Sequence, residues 1–461
     1  MISALTTFLS QAFLFALSLL MGVVCYMGTK KIATKKQLDV ELPLMSGSEV
    51  IHDSMVINAS AHLLAKTHQP VDIAGDVLGN FYVLQKNGDI VRISPSEAGM
   101  TVSTGYAKLA AANTATDIGF SAISLHPQFH VKNSPGYGKF YVVAAETAGS
   151  GTADFTPEFG NDGEDHQDVI YEYQTIDPLL GNFKGASREI VRFSQPGAEN
   201  NVESIAFDHL GQLYIGVGDG SSDEVTHTSP SKNASSLTSA YGKVLCINPL
   251  GDNSANGQYG IPETNPFCRV SDSIPELWAF GLRNPHSLHF DPFQGCLNIG
   301  DTGIDGTEEI NVSRLGGEHF GWDLSETSAL FDRSLRAQLK EIVTNPAITT
   351  KTGRANGNVI YRGENFPALA GRIIMTNESG QLLCGNSKTG MKYDSSVSQV
   401  KVPGLGDRPL SGLKTTLDGE LIVLCEDGSI FEIRKAASLG TEKRANRQLF
   451  CQLDETIPAK G

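Results

Sequence analysis

The chain has 461 residues, 40% hydrophobic and 19% charged, enough for one large repeat domain or two to three ordinary domains. Its formal net charge of −15 excludes nucleic acid or an anionic membrane surface as the main partner and suits a protein that holds cations. Glycine, at 48 residues, exceeds the usual level of about 7% and points to short strands joined by turns.

In chain order, "MISALTTFLSQAFLFALSLLMGVVCYMGTKK" carries no charged side chain before Lys30. About 20 apolar residues span a bilayer, so residues 1–29 read as a transmembrane anchor. A cleaved signal peptide is the alternative, but it normally carries an N-terminal Lys or Arg and a small-x-small cleavage site, and neither stands out clearly here. Residues 30–50 read as a polar linker. Its Lys30, Lys31, Lys35 and Lys36 favour a cytoplasmic side by the positive-inside rule.

From residue 51 to 440 one pattern recurs: glycine turn, short apolar strand, turn, strand. It occurs as "LGNFYVLQKNGDIVRI" from Leu78, and as "SAISLHPQF" with "YGKFYVVAAE" from Ser121. It returns as "IAFDHLGQLYIGVGDG" from Ile205 and "LHFDPFQGCLNIGDTG" from Leu288. The last two are "GRIIMTNESGQLLCGN" from Gly371 and "LKTTLDGELIVLCEDGSIFEIRK" from Leu413. Six such units with Asn-Gly and Asp-Gly turns predict an all-β, six-bladed β-propeller of four-stranded antiparallel blades. A sandwich or several small β domains is the structural alternative. "SRLGGEHF" and "RSLRAQLKEIV" are short helix candidates, and residues 441–461 form a C-terminal tail. Cys246, Cys296, Cys384 and Cys425 sit in apolar runs and read as buried thiols; no Cys/His cluster suggests zinc. Asp208 and Asp418 sit in turn sequences and read as structural. The sequons at Asn58, Asn233, Asn311 and Asn377 count only in a secreted eukaryotic chain.

The densest stretch is "PELWAFGLRNPHSLHFDPFQGCLNIGDTGIDGTEEINV", Pro275 to Val312. An Arg-Asn-Pro turn precedes one strand of a hairpin and an acidic glycine loop leaves the other, which can bring both loops to one end of a blade. Arg283 offers five donors and a fixed positive charge, and Asn284 offers an acceptor and two donors. The carbonyls of Gly303 and Ile304, and the carboxylates of Asp301, Asp305, Glu308 and Glu309, are oxygen ligands of the kind Ca²⁺ takes. The plainer reading is an Arg–carboxylate structural pair beside an Asp-rich turn.

"YGKVLCINPLG", "YGIPETNPF", "ELWAFGLRNPHSLHFDP", "GDTGIDGTEEIN" and "GGEHFGWD" follow one another in an order that resembles the glucose/sorbosone (aldose sugar) dehydrogenase family. "DIGFSAISLHPQF" and "REIVRFSQP" with "IAFDHLGQLYIGVGDGS" extend the resemblance over roughly residues 70 to 435. That family consists of six-bladed propellers using pyrroloquinoline quinone (PQQ) and Ca²⁺ to oxidise sugars. Related domains occur in hedgehog-interacting proteins, which are not known for this chemistry.

The resemblance implies that Arg283, Asn284, Asp219 and Asp117 face the cofactor. Gly303 and Ile304 match its Ca²⁺-binding carbonyls, with Glu309 as a further ligand. Of the family's late basic residues only Arg408 has a plausible register. The family's proton-accepting His falls at Asn200, whose amide has no useful basicity, and two glycines that admit the cofactor are here Val202 and Glu203. Glu199 and Glu203 are the alternative bases, and His286 and His166 the nearest imidazoles, each more simply a surface or strand-capping residue.

Three functions follow. The first is a PQQ- and Ca²⁺-dependent oxidoreductase acting on aldose sugars or related alcohols. The second is a non-catalytic propeller binding a sugar, peptide or protein. The third is a Ca²⁺-dependent lactonase built on Asp117, Asn200 and Asp219. The implied location is periplasmic or extracellular on a membrane anchor, without nucleic acid as a partner; the sequence does not identify an electron acceptor.

Overall fold

The computed structural model describes residues 55–95, 101–109, 118–158, 163–221, 232–303, 306–322, 343–351, 354–377, 379–388, 397–406 and 408–436. The anchor (1–29), the linker (30–50) and the tail (441–461) lie outside them. Among the described residues no helix is long and apolar enough to cross a membrane.

The chain enters through β1 (Met55–Val56) and β2 (Ala59–Lys66). Blade 1 follows as β3 (Pro70–Gly75), β4 (Phe81–Gln85), β5 (Asp89–Pro95) and β6 (Thr101–Lys108). Blade 2 is β7 (Phe120–Leu125), β8 (Lys139–Thr147), β9 (His166–Thr175) and β10 (Gly185–Gln195). Blade 3 is β11 (Val202–Phe207), β12 (Leu213–Val217), β13 (Lys243–Ile247) and β14 (Leu277–Phe280). Blade 4 is β15 (Ser287–Asp291), β16 (Cys296–Thr302), β17 (Glu308–Ser313) and β18 (Ile348–Thr350). Blade 5 is β19 (Asn358–Ile360), β20 (Arg372–Thr376), β21 (Leu382–Lys388) and β22 (Val397–Lys401), edged by β1 in parallel. Blade 6 is β23 (Leu410–Thr415), β24 (Leu421–Cys425) and β25 (Ser429–Lys435), completed by β2.

The all-β, six-bladed propeller expected from the repeats is the observed architecture. Each repeat falls in one blade, and β2 pairing with β25 closes the circle between the two ends of the repeat array. Closure leaves few exposed sheet edges.

The inner strands β3, β7, β11, β15, β19 and β23 pack side by side around the channel. Polar ties join neighbouring blades. Ile123 N donates to Asp72 Oδ2 (3.0 Å), Ser121 Oγ to Val202 O (3.1 Å) and Ser204 Oγ to Pro285 O (2.7 Å). Asn358 Nδ2 donates to Ser287 Oγ, Asn356 Nδ2 to Leu410 O, and Lys414 pairs with Asp72. Between blades the seams are apolar; Tyr141, Val143, Ile170 and Phe193 of blade 2 pack on Ile205, Ile215, Val217 and Leu245 of blade 3. Each such side chain, fully buried, contributes about 1.5–3 kcal/mol.

Cys246, Cys296, Cys384 and Cys425 are buried thiols, as their apolar runs suggested. The helix candidate over residues 313–320 does not form. Gly316 and Gly317 take φ of +74° and +85°, and a Cβ at Gly316 would meet the Trp278 ring at 3.0 Å, so the chain turns there. Residues 333–342 of the second helix candidate lie outside the described residues. Asn233, Asn311 and Asn377 are buried, so of the sequons Asn58 alone is exposed on the folded chain.

Candidate functional site

Antiparallel pairing within a four-stranded blade sends two kinds of connection to one face: the entry to each inner strand and the turn between its second and third strands. Asn200, Asp219, the Arg283–Asn284 turn, Gly303 and Arg408 all lie on such connections. The two loops of the dense stretch therefore share one end of blade 4, as the hairpin pattern implied. Asn200 and Arg283 are also register equivalents. Each stands four residues before a serine, Ser204 or Ser287, that pairs with a glycine, Gly216 or Gly300.

The Arg283–Asn284 turn is clamped from below by Asp301 near the end of β16. Both oxygens of Asp301 accept from Arg283 N at 3.1 Å, and Oδ1 also accepts from Asn284 N at 2.6 Å. Asp301 is buried, and it lies directly opposite Glu309 in the β16–β17 ladder. Burial first, then the charge of Glu309, pushes its carboxyl well above the usual carboxylate range, opposed by the two backbone donors. Asn284 is buried as well, and its Oδ1 has no hydrogen-bond partner. A buried acceptor without a partner is one that a ligand N–H or O–H would satisfy.

Asp219 anchors the neighbouring loop. Its backbone N–H donates to Arg283 O (2.8 Å). Its carboxylate accepts from Ser221 N (2.9 Å), Ser221 Oγ (2.7 Å) and Trp322 Nε1 (2.8 Å). Burial raises its pKa, and the contacts with Ser221, Trp322 and Arg283 oppose that rise. The Arg283 guanidinium lies over the Trp322 ring, 5.6 Å from its centroid, a cation–π contact that orients the charge.

Asn200 adopts φ +54°, a left-handed conformation that Asn tolerates. Its Nδ2 donates to Ser221 O at 2.6 Å and to Ser221 Oγ at 3.2 Å. The chain crosses tightly here: a Cβ at Gly218 would stand 1.9 Å from Asn200 O, so only glycine fits. The position implied for a base thus carries an amide tied to its own blade.

Two further pairs complete this face. Buried His286 Nε2 meets Glu308 Oε1 at 2.9 Å, and Thr302 Oγ1 donates to Glu308 Oε2 at 2.8 Å. Partly exposed Glu203, the bulge residue of β11, pairs with Arg354 of the loop before β19.

Not every expected residue joins the cluster. Asp117 and Ile304 lie outside the described residues. The carbonyl of Gly303 accepts from Gly306 N at 3.3 Å in the loop itself. Arg408 is held elsewhere: its Nη1 donates to Leu405 O (2.5 Å), its guanidinium covers Phe431 (5.4 Å), and Asp427 lies 3.8 Å from Nε. His166 is buried between Asp165 and Asp168. Val202 is buried in the seam between blades 2 and 3. Asp219, which a lactonase needs open to the channel, is enclosed by Ser221 and Trp322. Sequence reasoning missed Trp322 and Arg354; "GGEHFGWD" held the first, and no sequence signal marks the second.

Residues 68–432 match the family described as glucose/sorbosone dehydrogenase. The chain is 27% identical to the HIPL1 protein of Arabidopsis thaliana over 306 residues, 58% of this chain and 43% of that protein. It is 24% identical to the aldose sugar dehydrogenase YliI of Escherichia coli (strain K12) over 278 residues, 59% of this chain and 69% of that protein. The match thus spans less than half the length of the first relative. Its fold is similar to the PQQ-bound aldose sugar dehydrogenase (Adh) of Streptomyces coelicolor, with a TM-score of 0.55, 18% identity, and coverage of 82% of this chain and 98% of that one. The apo soluble aldose sugar dehydrogenase (Asd) of Escherichia coli gives a TM-score of 0.58 at 17% identity, covering 82% and 99%.

Proposed function

The chain belongs to the glucose/sorbosone dehydrogenase family, and on that premise we propose that it is a PQQ- and Ca²⁺-dependent oxidoreductase of aldose sugars or related alcohols whose acid–base chemistry has been rebuilt. The observation that carries this reading is the Arg283–Asn284 turn, clamped by Asp301 with the buried Asn284 Oδ1 without a hydrogen-bond partner. Those residues fit the cofactor. Arg283 supplies a cation and several donors for an oxygen-rich anion, and Asn284 supplies an acceptor. Buried Asp301 faces partly exposed Glu309 in the ladder, a like-charge pair that a cation relieves. The Gly303 carbonyl adds a further oxygen of the kind Ca²⁺ takes.

Bound there, the quinone supplies a two-electron acceptor for the hydride of a sugar C–H bond. The protein must take the hydroxyl proton. Asn200 cannot, and its amide nitrogen is spent on Ser221. Glu203, three residues on and partly exposed, is the carboxylate that replaces it. Arg354 pairs with Glu203 and orients its carboxylate, and Asn200 and Trp322 hold the loops around Arg283 through Ser221 and Asp219. Aldose-dependent reduction of an artificial electron acceptor by the PQQ- and Ca²⁺-loaded chain tests the proposal; absence of turnover across a panel of aldoses and polyols counts against it.

The pinned amide of Asn200 favours a second reading, a propeller that binds a sugar, peptide or protein at the same mouth without oxidising it. Saturable ligand binding with no turnover, even in an Asn200→His variant, supports that reading over the first.

A further inference from the structure

The exposed large hydrophobic side chains are distributed one-sidedly. Among the described residues there are eleven, and none sits on a mouth-face connection. Only Leu63 lies within a strand, β2; the other ten occupy connections on the opposite face. Val77, Leu78, Val131, Leu210, Phe293 and Leu417 lie on the turns between first and second strands of five blades, at the inner rim around the channel. The remaining four lie farther out, on the connections between third and fourth strands.

Three of these turns share one construction. An acid folds back to cap the turn: Asp76 Oδ1 accepts from Leu78 N and Asn80 N, Asp208 Oδ1 from Leu210 N and Gln212 N, and Asp291 Oδ1 from Phe293 N. The polar group is thereby turned inward and the apolar side chain is left at the tip. Leu210 is 71% exposed and Phe293 82%. A turn tip is ordinarily polar. Apolar tips repeated at equivalent places form a ring, unlike single exposed leucines scattered over a surface. The Arg362 guanidinium lies 4.8 Å from the Phe293 ring centroid and pairs with buried Asp291, so its charge is tied into the base of the turn and the ring remains the exposed group.

The sequence limits what can cover this ring. Residues 1–29 carry no charge. Residues 30–54, fully extended, reach at most about 85 Å, so an anchored propeller stays near its bilayer. The mouth face carries Glu199, Glu203, Asp301, Glu308 and Glu309 against Arg283, Arg354 and Arg408, a balance that disfavours contact with acidic lipid. We propose that the face opposite the mouth rests on a zwitterionic bilayer, with the tips of Leu210, Phe293 and their equivalents in the interfacial region and the mouth turned to the aqueous phase. This inference rests on residues 1–29 being a membrane segment and is independent of the proposed chemistry.

The test uses the full chain reconstituted into phosphatidylcholine vesicles, with Cys25, Cys268 and Cys451 replaced by serine. An environment-sensitive dye is attached at Leu210→Cys, at Phe293→Cys or, on a mouth-face turn, at Asn87→Cys. The expected result is flotation with the vesicles, blue-shifted emission at both tips, and quenching by doxyl-labelled lipid about twofold or more stronger there than at residue 87. Flotation with all three probes equally water-exposed overturns the face while leaving the anchor standing. Failure to float overturns both. Burial of the residue-87 probe instead of the tips reverses the orientation and also overturns the proposal.

Discussion

Glu203 of blade 3 pairs with Arg354, which leads into blade 5, so one ion pair spans the mouth past the whole of blade 4. Glu203 raises the pKa of Arg354, with burial opposing and Glu308 adding a smaller effect. The pair is partly exposed, so its stabilisation is modest, about 0.2–1 kcal/mol. Its larger effect is on charge at the mouth.

Glu203→Gln removes one negative charge and releases Arg354. The expected outcome is a split: apparent PQQ affinity rises by roughly 3–10-fold, while turnover falls by about 100-fold or more, the contribution of a general base. Absorbance titration and acceptor reduction measure the two separately.

Asn200→His restores an imidazole where the family resemblance places one. His, like Asn, tolerates left-handed backbone, so φ +54° does not forbid it. Losing the bond to Ser221 costs about 1 kcal/mol. Turnover is expected to rise by at least about tenfold, with a lower thermal midpoint by calorimetry.

Asp301→Asn weakens the clamp on the Arg283 and Asn284 backbone N–H groups and halves the carboxylate pair with Glu309. Denaturant unfolding should show a loss of about 1 kcal/mol, the value of an ordinary hydrogen bond, because removing the like charge beside Glu309 offsets part of the weakened clamp. Added Ca²⁺ should stabilise the parent chain more than this variant.

Stability should also fall in mild acid. Burial pushes His126 and His319 down to about 4. His126 Nδ1 accepts from Gln128 N and His319 Nδ1 from Gly321 N, so both rings must be neutral on that edge in the folded chain. The unfolded chain binds protons near pH 6.5 and the folded chain only near 4, so stability is full above about 6.5 and declines as pH falls toward 4. Each ring contributes up to about 3 kcal/mol across that window. Urea unfolding at pH 7 and 5 checks this, and His126→Gln should flatten the difference.

Much of the fold was legible because its signals are local. Asp-Gly and Asn-Gly turns mark hairpins wherever they stand, and all six repeats fall one to a blade. The Arg283–Asn284 turn and Gly303 were legible for the same reason, being short loops flanking one hairpin. What the sequence hid depends on contacts between distant segments. Arg354 reaches Glu203 across a blade, Trp322 reaches Asp219 from another loop, and Arg408 turns aside to Phe431. The helix pattern in "SRLGGEHF" failed because Gly316 must pass close to Trp278, a neighbour far outside any helical window.

The most direct test of the account is a PQQ titration of the purified chain with and without Ca²⁺, followed by tryptophan fluorescence. Trp322 lies against Arg283 at the mouth and Trp278 lies within blade 3, so Trp322→Phe assigns the signal. The account predicts saturable quenching that requires Ca²⁺, is lost in Trp322→Phe and weakens at least about tenfold in Arg283→Ala. Quenching that ignores both Ca²⁺ and Arg283, or none at all, would contradict it and leave the mouth as a recognition surface.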